Sequence, residues 1–148
     1  DIELWIVGSG KNENKLKEKI KKNRYQNIVF FGDVPNDDMP EIMNKSTLLI
    51  HGTRYESFGI SLVEAMASSV PVIAFKVGGI PEVVKDRETG YLIPFNKKNL
   101  FAKTVVDLLK NKTKLEKMKK NSFHHSKKFN PDIVYKIWND LYSTFYYN

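Results

Sequence analysis

Residues 47–75 read TLLIHGTRYESFGISLVEAMASSVPVIAF. Thr47–Ile50 is a short apolar run that stops at His51-Gly52, as a strand does when it meets a turn. A helix is expected from about Ser61 to Ser68, and Val72–Phe75 is a second short apolar strand. Strand, helix and strand joined by short loops are the unit of a parallel sheet, because a crossover helix returns the chain to start its next strand in the same direction.

The same alternation continues on both sides. Upstream, Glu3–Val7 reads as a strand ending in Gly8-Ser9-Gly10, and Asn12 to about Asn23 as a lysine-rich helix with Leu16 and Ile20 four apart. Ile28–Phe31 is a continuous apolar run, the pattern of a strand covered on both faces, and it stops at Gly32-Asp33-Val34-Pro35. Asn36-Asp37-Asp38 offers cap residues to a short helix through Met43. Downstream come a Gly-Gly-Ile-Pro turn, a short helix near Glu82–Val84 and the strand Tyr91–Ile93. A helical pattern from Asn99 follows, carrying Leu100, Val105, Leu108 and Leu109, then Leu115 and Met118, and a last helix after Pro131-Asp132 carries Ile133, Ile137, Trp138 and Leu141. The expected class is α/β, a Rossmann-like parallel sheet with helices on both faces. Ligands of such sheets bind beyond the carboxyl ends of the strands, which selects Gly8–Gly10, Gly32–Pro35, His51–Ser61 and Lys76–Glu82.

A chain of 148 residues, 41% apolar and 28% charged, suits one domain around one core rather than two large domains or a disordered chain. Its longest apolar stretch is far short of the ~20 residues that span a bilayer. The opening Asp1-Ile2-Glu3-Leu4-Trp5 has neither the basic region nor the cleavage site of a signal peptide. Without cysteine the chain forms no disulfide or thiolate metal site, in keeping with a reducing compartment. The net charge of +7 is concentrated between Lys97 and Lys128, where eleven lysines meet only Asp107 and Glu116. Arginines and aromatics do not interleave with them, so they are read as the solvated face of amphipathic helices rather than a nucleic-acid surface.

The segment Glu56-Ser57-Phe58-Gly59-Ile60-Ser61-Leu62-Val63-Glu64 follows a strand, passes through a glycine and opens a helix. Unpaired amides at a helix N-terminus favour an anion such as phosphate, and a glycine lets a ligand approach the backbone. A carboxylate accepts two hydrogen bonds at once, as recognition of a vicinal diol requires. Ser61 and Glu64 also have the spacing of a capping box, and Glu56 that of a solvated loop acid, so spacing alone leaves both a ligand role and a structural role open.

The segments ESFGISLVEAMASSVPVIAFKVGGIPEVV and ETGYLIP together resemble the signature of retaining glycosyltransferase family four, whose hallmark is a Glu-x7-Glu motif matched here by Glu56 and Glu64. The resemblance extends upstream through VGSG and FFGDVP and downstream to Trp138 and Tyr142, nearly the whole chain. It implies the C-terminal, nucleotide-sugar-binding half of a GT-B enzyme, with residues 1–148 as a single donor-binding domain and an N-terminal acceptor domain and first strand lying outside it. By resemblance Glu64 binds the ribose hydroxyls. Glu56 contacts the donor sugar near the reacting centre and is the catalytic candidate. Phe58, Gly59, Ile60 and Ser61 present backbone amides to sugar and diphosphate. Asp33 and Val34 frame the nucleobase, Gly8 and Gly10 form the glycine turn at the cleft, and Gly78 and Gly79, with Glu82, lie beneath the donor.

The implied activity is hexose transfer, with retention, from a nucleoside-diphosphate sugar to a hydroxyl acceptor in cell-surface glycan or polysaccharide synthesis, by front-face attack without a covalent intermediate. The fragment alone is expected to be inactive. No cofactor and no metal are expected, no Asp-x-Asp occurs, and His124-His125 has no carboxylate at metal spacing. Arg54 and Lys76 sit on the selected loops, where surface charge is the plainer account of both. His51 is read as a packing or cap residue rather than a proton carrier. Trp138 and Tyr142, four apart on one helix face, are read as core, part of that face meeting the N-terminal domain by resemblance. Expected partners are the donor and that domain, not nucleic acid. The expected location is cytoplasmic, with peripheral membrane association of the parent. Two alternatives stay open: another GT-B enzyme, such as a nucleotide-sugar epimerase or a glycogen-synthase-like transferase, and a non-catalytic binding domain.

Overall fold

The computed structural model describes residues 2–146. Along the chain run β1 (Leu4–Val7), α1 (Glu13–Lys22), β2 (Ile28–Gly32), α2 (Met39–Lys45), β3 (Leu49–His51), α3 (Ile60–Ala67), β4 (Val72–Phe75), α4 (Ile80–Val83), β5 (Gly90–Ile93), α5 (Lys98–Lys110) and α6 (Lys112–Ser126). A single 3-10 turn, Lys127–Phe129, leads into α7 (Pro131–Tyr146). Strands alternate with helices through β5, and every strand pair is parallel. The five strands pair as two sheets, β1-β2 and β3-β4-β5, rather than as one hydrogen-bonded sheet. The chain correspondingly divides into two compact units, residues 1–40 and residues 41–148.

In the first unit, β1 and β2 run in register from Leu4 opposite Ile28 to Ile6 opposite Phe30, and the register shifts before Val7. Expected coverage of Ile28–Phe31 on both faces is not what forms. Burial alternates along β2, with Val29 and Phe31 exposed and Ile28 and Phe30 half-buried. An unbroken apolar run does not fix two covered faces. Period-two geometry sends alternate side chains to opposite sides, and the two sides are unequally covered here. Phe31 on the open side instead meets the ring of Trp5 at 5.0 Å between centroids.

In the second unit β4 is the central strand, and all four of its residues are buried. Ile73 and Phe75 pack with Ile93 of β5, Leu108 of α5, and Leu115 and Met118 of α6. Side-chain alternation sends Val72 and Ala74 to the other face, and α3 packs against the same strand. Helices thus contribute apolar side chains such as Leu62, Met66, Leu108 and Met118 to a core whose middle is β4. Burial of apolar surface contributes about 25 cal/mol per Å², so this layer stabilises the unit.

The long helical stretch after Asn99 is broken at Asn111. Its side-chain oxygen accepts from the Lys114 amide at 3.0 Å and so caps the start of α6. Buried Ser122 on α6 donates to the Thr89 carbonyl at 2.9 Å, and His125 Nε2 lies 3.0 Å from the Val83 carbonyl oxygen. These two bonds fasten α6 to the end of α4 and to the segment that precedes β5. Core packing of Trp138 and Tyr142 is not observed. They are 53% and 57% exposed and stack on each other, with ring centroids 5.9 Å apart. The same face of α7 leaves Ile137, Leu141 and Phe145 exposed.

Candidate functional site

The sheet β3-β4-β5 is parallel, so the turns after β3 and β4 leave from the same end of it. The first turn runs from His51 to the start of α3, and the second carries Gly78 and Gly79 into α4. The two interlock through their backbones. The Gly79 amide donates to the Glu56 carbonyl at 2.9 Å. A Cβ on Gly78 would stand 2.0 Å from the Glu56 carbonyl oxygen, and one on Gly79 would stand 2.0 Å from that of Ser57. Both positions exclude any side chain because another backbone is already there. The structure therefore gives this glycine pair a definite task, to clamp the loop that presents Glu56.

Gly59 ends that loop in the left-handed region, at φ 90° and ψ 64°, and caps α3 without a side-chain hydrogen bond. This conformation costs most residues about 1 kcal/mol or more, and glycine adopts it freely. A Cβ there would also meet Leu62 Cδ1 at 2.7 Å and Glu56 Cγ at 3.3 Å. The carboxylate-bearing chain of Glu56 is thereby laid against the first turn of α3. The amides of Leu62 and Val63 reach the Gly59 carbonyl, at 2.9 and 3.4 Å. Those of Gly59, Ile60 and Ser61 donate to no acceptor among the described residues. Free amides at the start of a helix form a concentration of partial positive charge able to receive an anion.

The capping box that spacing allowed for Ser61 and Glu64 does not form. Ser61 already lies inside the helix, two residues past the cap position at Gly59, and the carboxylate of Glu64 makes no hydrogen bond or ion pair among the described residues. Glu64 is left exposed on α3. Glu56 is half-buried. Its Oε1 accepts from the Phe58 amide at 3.4 Å, and its Oε2 stands 3.4 Å from His51 Nε2. Phe58 is partly exposed and meets Phe129 edge-on, with ring centroids 5.8 Å apart. Phe129 also contacts the His125 ring, a link between the 3-10 turn and the loop that sequence spacing gave no means to foresee. Arg54 and Lys76 are exposed and form no ion pair among the described residues.

In the first unit the turns after β1 and β2 are joined through Asp33. Its carboxylate accepts from the Ser9 amide at 3.0 Å and from the Ser9 hydroxyl at 2.7 Å. Gly8 donates its amide to the Gly32 carbonyl at 2.7 Å, the Gly10 carbonyl accepts from Glu13 at 2.9 Å, and Val34 follows as a half-buried residue. Among the described residues no three His, Cys, Asp or Glu side chains group in a way that would hold a metal ion. No helix there is long and apolar enough to cross a membrane.

The family described as Glycosyl transferases group 1 matches residues 1–125. The chain belongs to that family. It is 33% identical over 129 residues to an uncharacterised glycosyltransferase of Methanocaldococcus jannaschii, covering 87% of this chain and 37% of that protein. It is 35% identical over 112 residues to N-acetyl-alpha-D-glucosaminyl L-malate synthase of Bacillus anthracis, covering 75% of this chain and 29% of the enzyme. Among solved structures, Anabaena HepE in complex with UDP-glucose superposes with a TM-score of 0.81 at 25% identity, over 95% of this chain and 41% of that one. The chain thus spans well under half the length of the relatives it matches. Its α/β architecture is one half of the GT-B fold, as the sequence resemblance implied.

Proposed function

We propose that this chain holds the donor of a retaining hexosyltransferase, which moves a hexose from a nucleoside-diphosphate sugar to a hydroxyl acceptor in glycan or polysaccharide synthesis. The observation that carries this reading is the placement of the Glu56 side chain over Gly59, beside three unpartnered amides that open α3. Sugar hydroxyls present donors to a carboxylate, and a diphosphate presents oxygens to amides. The two kinds of group stand here at one helix terminus. Glu64, exposed and unbonded on the same helix, is free to accept from the paired hydroxyls of a ribose. HepE, similar over almost the whole chain, was solved with UDP-glucose, which favours a nucleoside-diphosphate sugar over other anions.

In this scheme the Gly59, Ile60 and Ser61 amides stabilise the charge that grows on the departing diphosphate, an effect largest when donors are fixed before reaction. The Gly78–Gly79 clamp supplies that fixity by holding the loop from behind. Phe58 borders the turn, while Asp33 and Val34 keep the nucleobase role, and Gly8 and Gly10 the glycine-turn role, given by family resemblance. No metal or other cofactor takes part. The chain alone binds donor without transferring sugar, because the acceptor site belongs to another domain of the parent. That parent works in the cytoplasm, with the lysines of α5 and α6 favouring the neighbourhood of anionic membranes.

Titration calorimetry of the chain with UDP, GDP and ADP tests the proposal. Saturable binding of at least one, weakened by Glu64→Gln, is the expected outcome. Absence of binding to all three by a folded sample overturns it.

A further inference from the structure

His51 is the last residue of β3 and pairs with Ala74 of β4, so its backbone is fixed by the sheet. Its Nε2 is closed off from solvent and has no hydrogen-bond partner in good geometry. Glu56 Oε2 stands 3.4 Å away, with the two side chains 22% and 27% exposed. A buried imidazole nitrogen left unpaired is unfavourable, and at 3.4 Å Glu56 Oε2 stands just beyond ordinary hydrogen-bond length from it. The other Glu56 oxygen is already engaged by the Phe58 amide, at 3.4 Å, and the carbonyl of the same residue by Gly79.

We infer that His51 is a positioning residue for Glu56. Its Nε2–H donates to Oε2 and, with the Phe58 amide on Oε1, fixes the plane of the carboxylate over the turn at Gly59. The inference rests on the donor reading above for what Glu56 then does, which is to meet a sugar hydroxyl. Without His51 the carboxylate keeps one tether instead of two, and affinity for the sugar part of the donor falls while affinity for the nucleoside diphosphate part is kept. A purely packing role for His51 predicts no such split. The imidazole contributes a hydrogen bond and no chemistry at the reacting carbon. The nitrogen facing a carboxylate must carry the proton, so the pair also selects the tautomer.

Two measurements on the chain decide the matter. Long-range proton–nitrogen NMR of the imidazoles is expected to show His51 protonated on Nε2, with that preference lost in Glu56→Ala. A His51 ring protonated on Nδ1 alone, or one indifferent to Glu56→Ala, overturns the inference, whether or not any nucleotide binds. Calorimetry with UDP and with UDP-glucose gives the functional side. His51→Leu is expected to keep UDP affinity within about twofold and to lower the gain from glucose by about fivefold or more. His51→Gln, which offers an N–H at a similar reach, restores most of that gain. An unchanged gain in His51→Leu overturns the positioning role and leaves the donor reading standing. Failure of every form to bind UDP, GDP or ADP removes the donor reading, and the NMR result still decides the pairing.

Discussion

The amide of Gly79 donates to the carbonyl oxygen of Glu56 at 2.9 Å, so the turn after β4 holds the turn after β3 by its backbone. Gly79 itself has an ordinary φ of −79°, and its requirement for glycine is one of space, since a Cβ would stand 2.0 Å from the Ser57 carbonyl oxygen. Gly79→Ala must push two backbones apart. Overpacking of this kind costs about 1–3 kcal/mol. Urea denaturation is expected to show that loss, and calorimetry a weaker nucleotide affinity, because the displaced loop carries Glu56. Stability equal to wild type would mean that the two turns are not clamped.

Glu64→Gln is expected to behave in the opposite way. The carboxylate is exposed and unbonded among the described residues, so its loss changes stability by no more than about 0.5 kcal/mol. If it accepts hydrogen bonds from a ribose, each bond to a charged acceptor contributes about 1.5–3 kcal/mol, and affinity for a nucleoside diphosphate falls about tenfold or more. Matched thermal melts and titrations separate the two quantities. A stability loss without an affinity loss would return Glu64 to a structural role.

The order of strands and helices was legible because short apolar runs and glycine turns are local features. Val72–Phe75 is a strand with the bounds expected of it, and Gly59 opens α3 next to the expected start. What could not be read depended on partners distant in sequence. Val29 and Phe31 belong to an apolar run, yet both stay more than a third exposed while Ile28 and Phe30 are half-buried. The bond from Ser9 to Asp33 and the edge-on contact of Phe129 with Phe58 join segments with no shared periodicity. Asn111 caps α6 through a side-chain bond that breaks the helical stretch, and the lysine spacing around it hides the break. At the site, Glu56 and Glu64 were marked by their motif. The closeness of His51 to Glu56 and the backbone clamp at Gly78 and Gly79 appear only once the loops are in place.

Acid is expected to destabilise the fold through His125. Burial pushes its pKa below the ordinary 6.5, and the positive charges of Lys128 and Lys85 push the same way, against the hydrogen bond to Val83 and the nearby Glu88. The unfolded chain then takes up a proton at His125 at pH values where the folded chain does not. Protons bound preferentially by the unfolded state make stability rise with pH, so this contribution is complete above 6.5 and is lost as pH falls from there toward the lowered folded value. The melting temperature of the wild type is expected to decline across that window more steeply than that of His125→Gln. Parallel profiles would show that His125 does not carry the dependence.

Met118 and Trp138 both occupy helices with apolar residues at helical spacing, and sequence pattern alone treats them alike. Met118 is 2% exposed and lies in the cluster with Ile73, Phe75 and Leu115, whereas Trp138 is 53% exposed and has Tyr142 as its ring partner. Truncating a buried methionine removes transfer free energy and leaves a cavity, so Met118→Ala is expected to cost about 2–5 kcal/mol. Trp138→Ala removes surface that water already reaches, and the expected cost in this chain is within about 0.5 kcal/mol plus the lost stacking on Tyr142, itself about 0.5–1.5 kcal/mol. Denaturation of the two variants side by side tests the difference. A Trp138→Ala loss as large as that of Met118→Ala would mean that the apolar face of α7 is covered in solution.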